Sequence, residues 1–395
     1  MLTLAFIILA VISFVLTFWR WAASRRFPIH QRLENVLSYA PVTILKPVKG
    51  LESNSEKCFE SWFAQQYDAP VQILFGVASA NDPVCPLLRR LIETHPNTDA
   101  QLVVCSKQLA LNRKISTLMQ LEPLIRHSVV VISDADVLAP PDILKNNTPL
   151  LEKPNIGLVN CFYRLANPTT AAMRWEAIGV NVDFWSQVLQ ARDIGKVDFA
   201  LGAVMTLSLE NLKKIGGFAS LADYLADDYQ LGHRIAMTGK EIAFSTVPVD
   251  CWESAHTWTQ AWTHQLRWAR TIRICKPIPY FFSIIGNATI WPLLLFFAPL
   301  FSGAVVYPRQ IPLITFFISS FCLMFRVISA IDQQARISQA KNHFTFVWMV
   351  LLKDILDFLV WALSFVGNKI EWRGEQFRVI EYGKLEPLVS EASGR

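Results

Sequence analysis

Charge is scarce in this chain: Asp, Glu, Lys and Arg make up 17% of its 395 residues against a 52% hydrophobic share, too apolar for an ordinary soluble protein of this length. Cysteine occurs as seven scattered residues, with no Cys-x-x-Cys pair and no alternating Cys/His spacing. That excludes a zinc-ribbon or zinc-finger framework and fits a reduced, cytoplasmic setting. Neither Gly-x-Gly-x-x-Gly nor Gly-x-x-x-x-Gly-Lys-Ser/Thr is present, so a dinucleotide fold and a P-loop are both unsupported. A phosphate-bearing ligand would then have to be held by a metal and basic side chains. Internal repeats and long low-complexity tracts are absent, and the linker-like stretch is the polar tail Glu386 to Arg395. The net charge of +5 points to an anionic lipid surface as partner, not nucleic acid.

The apolar excess is localised. Residues 2 to 19 carry no charge and are followed by Arg20, Arg25 and Arg26, long enough to cross a bilayer as one helix. A secretory signal places its positive charge before the apolar core, and here it follows. The expectation is an uncleaved anchor with its amino terminus outside and everything after Arg20 in the cytoplasm. Residues 278 to 307 and 311 to 331 are almost free of charge and read as two further spans joined at Pro308-Arg309-Gln310. A third stretch, 344 to 366, carries Lys353, Asp354 and Asp357 in its middle, so it crosses beside other helices, re-enters, or lies at the interface. The expected division is an anchor over 1–24, a cytoplasmic domain with interfacial helices over 25–276, a membrane region over 277–368 and a tail over 369–395.

The roughly 240 residues between the membrane segments are enough for one α/β domain. Val42-Thr43-Ile44-Leu45, Val71 to Val77, Leu102-Val103-Val104 and Val129 to Ile132 are short β-branched runs, and the segments around 55–65, 84–94 and 113–122 have helical spacing. This alternation predicts a mostly parallel sheet covered by helices. Ligands of such sheets bind beyond the carboxyl ends of the strands, where Lys46, Asp82, Asp134 and Asp136 fall.

Asp134 and Asp136, one residue apart after the run ending in Ile132, can hold Mg²⁺ or Mn²⁺, hard ions that bridge diphosphate oxygens. Acidic residues at strand ends also serve as turn formers. Lys114, in Asn112-Arg113-Lys114-Ile115, either adds positive charge nearby or is a solvated surface residue. Asp227 and Asp228 suit a helix amino terminus, or one of them is a general base that deprotonates an attacking hydroxyl. Further on, His264, Arg267 and Trp268 share one face of a Trp-rich basic segment, where Arg267 can fork onto a phosphate. The same segment is also what a helix lying on a membrane looks like. Ala171 to Gln190, mixing Trp175, Ile178 and Trp185 with Arg174, Glu176 and Asp183, reads as a buried domain helix or a helix beside an acceptor entrance.

Asp82, Asp134, Asp228 and His264-Gln265-Leu266-Arg267-Trp268 together resemble the ordered motif set of ceramide glucosyltransferase and its bacterial relatives. The similarity runs from Pro41 through Arg273 and on to Trp372-Arg373-Gly374. The resemblance implies a membrane-bound, inverting glycosyltransferase with a GT-A type domain in the bacterial inner membrane. In it Asp82 contacts the nucleotide, and the expected nucleotide-sugar-binding residues are completed by Lys46, Lys114, His264, Arg267 and Trp268. Asp134 and Asp136 surround the metal diphosphate, and Asp228 is the base. Arg267 and Trp268 match the end of the Gln/Arg-x-x-Arg-Trp signature, whereas His264 departs from its first position.

The hypothesis that follows is transfer of a hexose, glucose first, from a UDP-sugar to a lipid hydroxyl, ceramide first, giving a β-glycoside. Hopanoid and other lipid acceptors, and polyprenyl phosphate, stay open. A processive polysaccharide synthase needs more spans than these. A membrane-anchored sugar-nucleotide or lipid-binding protein without chemistry is the non-enzymatic alternative. Oligomeric state is not encoded in any of these residues.

Overall fold

The computed structural model describes residues 2–33, 39–301, 310–339, 346–372 and 375–388. The chain divides into two compact units, one made of Pro28–Asn167 and Ile194–Ser254, the other of Met1–Phe27, Pro168–Asp193 and Ala255–Arg395. Neither is the continuous stretch 25–276 expected of the cytoplasmic domain. Burial groups residues by their partners in space, and two segments inside that stretch pack with the apolar helices instead.

The first unit is built on strands β1 (Val42–Val48), β2 (Val71–Val77), β3 (Asp99–Val104), β4 (Val129–Ser133), β5 (Val137–Leu138), β6 (Ile156–Leu165), β7 (Val204–Ser208) and β8 (Glu241–Cys251). They form one sheet in the order β3-β2-β1-β4-β7-β6-β8-β5. The pairs β2–β3, β1–β2, β1–β4 and β6–β8 are parallel, and β4–β7, β6–β7 and β5–β8 antiparallel. The sheet is thus mostly parallel but mixed. Its first four strands are the four β-branched runs, and the helices Ser55–Phe63, Cys85–Thr94 and Arg113–Leu121 lie between them in sequence.

Because side chains alternate across a strand, β1, β2 and β4 feed two cores. Ile44, Ile73, Phe75 and Val131 pack on one face with Phe59 and Trp62, while Leu45, Leu74, Val130 and Ile132 pack on the other with Ile115, Leu118 and Leu121. Each such side chain, fully buried, contributes about 1.5–3 kcal/mol. The helix Asp227–Met237 is pressed onto the chain before β7: a Cβ at Gly232 would lie 2.2 Å from the Ala200 backbone nitrogen, so only glycine fits there.

The second unit is helical. Leu2–Arg26 is a 25-residue apolar helix ending in Arg25 and Arg26, and Gln310–Ser338 is another long one. Among the described residues these two are long and apolar enough to cross a membrane. The span expected over 278–307 is instead broken: Pro277–Gly286 and Ile290–Pro299 meet at 49°. Asn287 causes the break, since its Oδ1 accepts from the Thr289 and Ile290 nitrogens and starts a fresh helix. The expected joint at Pro308-Arg309 lies outside the described residues. Val350–Ser364, within the 344–366 stretch, has 15 residues and does not meet the length of a span.

The charges of that helix are answered inside the unit. Arg326 donates to Asp183 (2.9 and 2.7 Å) and to Asp354 (2.8 and 2.7 Å), and Lys353 pairs with Asp183 and with Asp357 at 2.7 Å. Asp183 lies on a helical stretch comprising Ala171–Ile178, a π-helical turn Gly179–Phe184 and Trp185–Ile194. After Ser364 come β9 (Lys369–Trp372), β10 (Glu375–Ile380) and β11 (Lys384–Pro387), a small antiparallel sheet. Arg373 and Gly374 of the tail motif lie outside the described residues.

Candidate active site

The carboxyl ends of the parallel strands carry the acidic residues. β4 ends at Ser133, and Asp134 and Asp136 follow in the turn to β5. This turn is held from three sides: Asp134 N donates to Ala203 O at 3.1 Å, Trp252 N donates to Asp136 O at 2.9 Å, and Lys46 Nζ donates to Asp134 O and, at 3.1 Å, to Ser133 Oγ. Lys46 is fully buried, with its amine 5.1 Å from the Trp62 ring centroid and 5.9 Å from that of Phe59. Burial pushes its pKa down to about 8. The geometry therefore places Lys46 behind the acidic turn, bonded to its backbone.

Lys114 stands in front of it. Asn112 caps the helix Arg113–Leu121 by accepting from the Lys114 and Ile115 nitrogens, and its Nδ2 donates to Tyr224 O at 2.9 Å and Asp227 Oδ1 at 3.3 Å. Lys114 Nζ is thereby set 2.7 Å from Asp134 Oδ1 and 3.2 Å from Asp227 Oδ2. Burial works against its charge, but Asp134 and Asp227 outweigh burial and raise its pKa.

Asp228 opens the helix Asp227–Met237, whose amino end favours negative charge. Its Oδ1 accepts from Tyr229 N at 2.7 Å, and its Oδ2 points to Gly202. A Cβ on Gly202 would lie 3.0 Å from Asp228 Oδ2 and 3.6 Å from Asp134 Oδ2, so the missing side chain keeps open a space that both carboxylates border. Burial, then the charge of Asp227, pushes the Asp228 carboxyl up to about 6. Burial, then Asp134 and Glu253, pushes Asp136 up to about 7. Such shifts mark carboxylates taken out of water beside other negative charges.

A divalent cation fits this donor set. The oxygens at Asp134 and Asp136 are carboxylate only, as Mg²⁺ and Mn²⁺ prefer, and a cation there would offset the burial and the Asp134 charge that raise Asp136. Asp82 sits on the same sheet edge but serves the backbone: its carboxylate accepts from Gly50 N at 3.0 and 3.1 Å and from Val84 N at 3.0 Å, tying the loop after β1 to the loop after β2.

In the helical unit, His264, Arg267 and Trp268 share a face of Trp258–Cys275, a helix started by a Thr257/Gln260 capping box. The His264 and Trp268 rings are 4.5 Å apart at 57°. Arg270 donates to Val366 O at 2.8 Å and to Lys369 O, and Arg273 to Asn368, so the segment entering the terminal sheet braces this helix. Sequence reasoning gave no role to Asn112, Gly202 or Glu176. For Glu176 a signal existed, because an acid beside Trp175 and Ile178 on a buried helix must find a partner. For Gly202 no local signal exists.

The chain matches the profile of Glycosyl transferase family 21 over residues 5–385. Ceramide glucosyltransferase 1 of Caenorhabditis elegans is 22% identical over 91% of this chain and 76% of the worm protein. Ceramide glucosyltransferase 3 of the same organism is 22% identical over 96% of this chain and 83% of its own length. In fold, the chain is similar to the mannosyltransferase PcManGT from Pyrobaculum calidifontis, solved with GDP-Man and Mn2+, with a TM-score of 0.52 at 19% identity over 92% of this chain and 99% of that one. The mixed sheet and its neighbours are those of a GT-A type domain, joined here to apolar helices suited to membrane association. The protein belongs to glycosyl transferase family 21.

Proposed function

We propose that this glycosyltransferase moves glucose from UDP-glucose to the primary hydroxyl of ceramide, with inversion, at the cytoplasmic face of a membrane. The observation that supports it best is the opening at Gly202, bordered by Asp134 on one side and Asp228 on the other. Asp228 takes the hydroxyl proton as the acceptor oxygen forms its bond to the anomeric carbon. The bond from that carbon to the diphosphate breaks on the opposite side, and the electron pair leaves with UDP. A general base works best with a pKa near the working pH, and Asp228 at about 6 is ionised at neutral pH while still basic enough to accept the proton. Asp134 and Asp136 would hold a divalent cation, which, when bound, supplies positive charge to the diphosphate oxygens. Lys114 fixes Asp134, and Lys46 fixes the backbone that carries it. Asp82 joins the nucleotide-sugar site in this reading, and Arg267, Trp268 and His264 keep the nucleotide-sugar-binding role that their match to the signature implies.

The worm relatives carry the name ceramide glucosyltransferase, which favours glucose and ceramide, while the structural neighbour was solved with GDP-Man, so donor identity is the point to test. The full-length protein in detergent with Mn²⁺ is offered UDP-glucose, UDP-galactose and GDP-mannose against ceramide, diacylglycerol, a hopanoid and polyprenyl phosphate, and products are read by mass spectrometry. Glucosylceramide is expected. A product of another mass names the other substrates. Nucleotide binding without sugar transfer to any acceptor overturns the enzymatic reading.

A further inference from the structure

The helix Arg113–Leu121 is fixed to the sheet by one face, where Ile115, Leu118 and Leu121 pack with Leu45, Leu74, Val130 and Ile132. Its two ends grip one later segment of the same unit. At the carboxyl end Glu122 accepts from Phe218 N at 3.0 Å. At the amino end Asn112, fully buried, spans the turn that leads into the helix of Asp228. Its backbone nitrogen donates to Ala222 O at 3.2 Å, and its side chain reaches Tyr224 and Asp227.

A primary amide offers two acceptor sites and two hydrogens, and in Asn112 all of them are used. Oδ1 accepts from Lys114 N at 3.0 Å and Ile115 N at 3.3 Å, while Nδ2 donates to Tyr224 O at 2.9 Å and to Asp227 Oδ1 at 3.3 Å. The reverse orientation would set the amide oxygen against two oxygens and its nitrogen against two N–H groups, so the neighbours decide it. A carboxylate of the same shape could cap the helix but would have nothing to donate to the turn. The other oxygen of Asp227 is met by Lys114 Nζ at 3.2 Å, and the same amine is 2.7 Å from Asp134 Oδ1. The contacts therefore run without a gap from Asp134, after β4, through Lys114 and Asn112 to the residue beside Asp228.

We propose that Asn112 is a positioning residue for sugar transfer, holding the turn that presents Asp228 at a fixed spacing from the acidic turn of Asp134 and Asp136. The proposal rests on the reading of Asp228 as the base. Attack and departure take place on opposite sides of one carbon, so the groups that serve them must keep their separation, and a misplacement of about 1 Å costs about 10²-fold. The acidic turn itself is held without Asn112, by Ala203, Trp252 and Lys46. Loss of the tie is therefore read in turnover and not in nucleotide binding.

Full-length wild type, Asn112→Ser, Asn112→Asp, Asp227→Asn and the pair Asn112→Asp with Asp227→Asn are compared in detergent with Mn²⁺. For each, kcat is measured with the donor and acceptor that the substrate panel identifies, together with the dissociation constant of UDP and the melting temperature. Assays run below the lowest melting temperature, so that a loss of fold is not read as a loss of turnover. Serine caps a helix about as well as asparagine and removes the Nδ2 bonds. Asn112→Ser is expected to lower kcat about 10–100-fold, the range for losing an outer partner of a site residue, with UDP binding unchanged. Asn112→Asp sets an acceptor against Asp227 and is expected to lower kcat further. Adding Asp227→Asn returns a donor to that contact with its direction reversed, and should recover about tenfold, the non-additivity of a coupled pair. Unchanged kcat in Asn112→Ser, an equal loss of kcat and UDP affinity, or costs that simply multiply in the pair each overturn the proposal. Should Asn112→Asp fail to fold, Asn112→Ser decides, because its cap is intact. Full turnover by Asp228→Asn overturns the reading of the base and this proposal with it, as does wild type that transfers no sugar to any acceptor. Full turnover by Asn112→Ser beside an inactive Asp228→Asn overturns this proposal alone.

Discussion

Two clusters of buried charge sit in this molecule, one in each unit, and they are composed differently. In the helical unit Asp183, Asp354 and Asp357 are met by Arg326 and Lys353, and Arg20 approaches Asp183 at 3.9 Å. Each carboxylate there has a cation fixed by the chain. In the sheet unit Asp134 and Asp227 pair with Lys114, which also offsets Asp228, and Asp136 is left with Lys46, whose amine is bonded to the backbone of Asp134. A set of charges that balances internally holds helices together. One that does not balance suits a cation from outside, and on the proposed function that is the difference between a structural cluster and a site.

The largest effect should come from the unbalanced cluster. Asp228→Asn is expected to lower sugar transfer by about 10²–10⁴-fold, the range for losing a general base. Its melting temperature should not fall, since a repelled carboxylate has been removed; a variant that melts early instead would place Asp228 among structural residues. The balanced cluster should respond the other way. Arg326→Met leaves Asp183 and Asp354 buried without their shared cation, at about 3–5 kcal/mol, read as early unfolding in detergent. Unchanged unfolding would end the comparison.

Smaller effects sharpen it. Gly202→Ala puts a methyl group 3.0 Å from Asp228 Oδ2 and is expected to raise the donor KM about 10-fold with little change in melting, an overpacking effect of about 1–3 kcal/mol confined to the opening. The smallest is a dependence on pH. Asp136 and Asp228 have folded pKa values of about 7 and about 6, above an ordinary carboxylate, so the folded chain holds their protons more tightly than the unfolded one. Their contribution to stability is complete below about pH 4 and is lost as pH rises through those two values. With EDTA, melting temperature should therefore fall between pH 5 and pH 8 on this account, and saturating Mn²⁺ should offset the fall. The transfer rate should rise with pH as Asp228 ionises.

The strands β1 to β4 were legible because each is a short β-branched run bounded by polar residues, and the acidic turn after β4 followed from them. The antiparallel β7, wedged between β4 and β6, was not, since pairing order is decided by residues far apart in sequence. Nor was the division of the chain: Ala171 to Ile194 has the composition of a domain helix, and its partners, such as Arg326, come more than a hundred residues later. The broken span over 278–307 hides in hydropathy because Asn287, a single polar residue, does the breaking with its side chain. Gly202 is invisible locally, as its meaning lies in the two carboxylates that border it.

Gly232 has a consequence for anyone wishing to change the donor. The helix of Asp228 lies in backbone contact with Ala200, two residues from Gly202, so main chain fixes how near that helix comes to the chain bordering the opening. A side chain turning aside could not widen that approach, because main chain sets it. Substitutions meant to retarget the enzyme would thus leave Gly202 and Gly232 untouched.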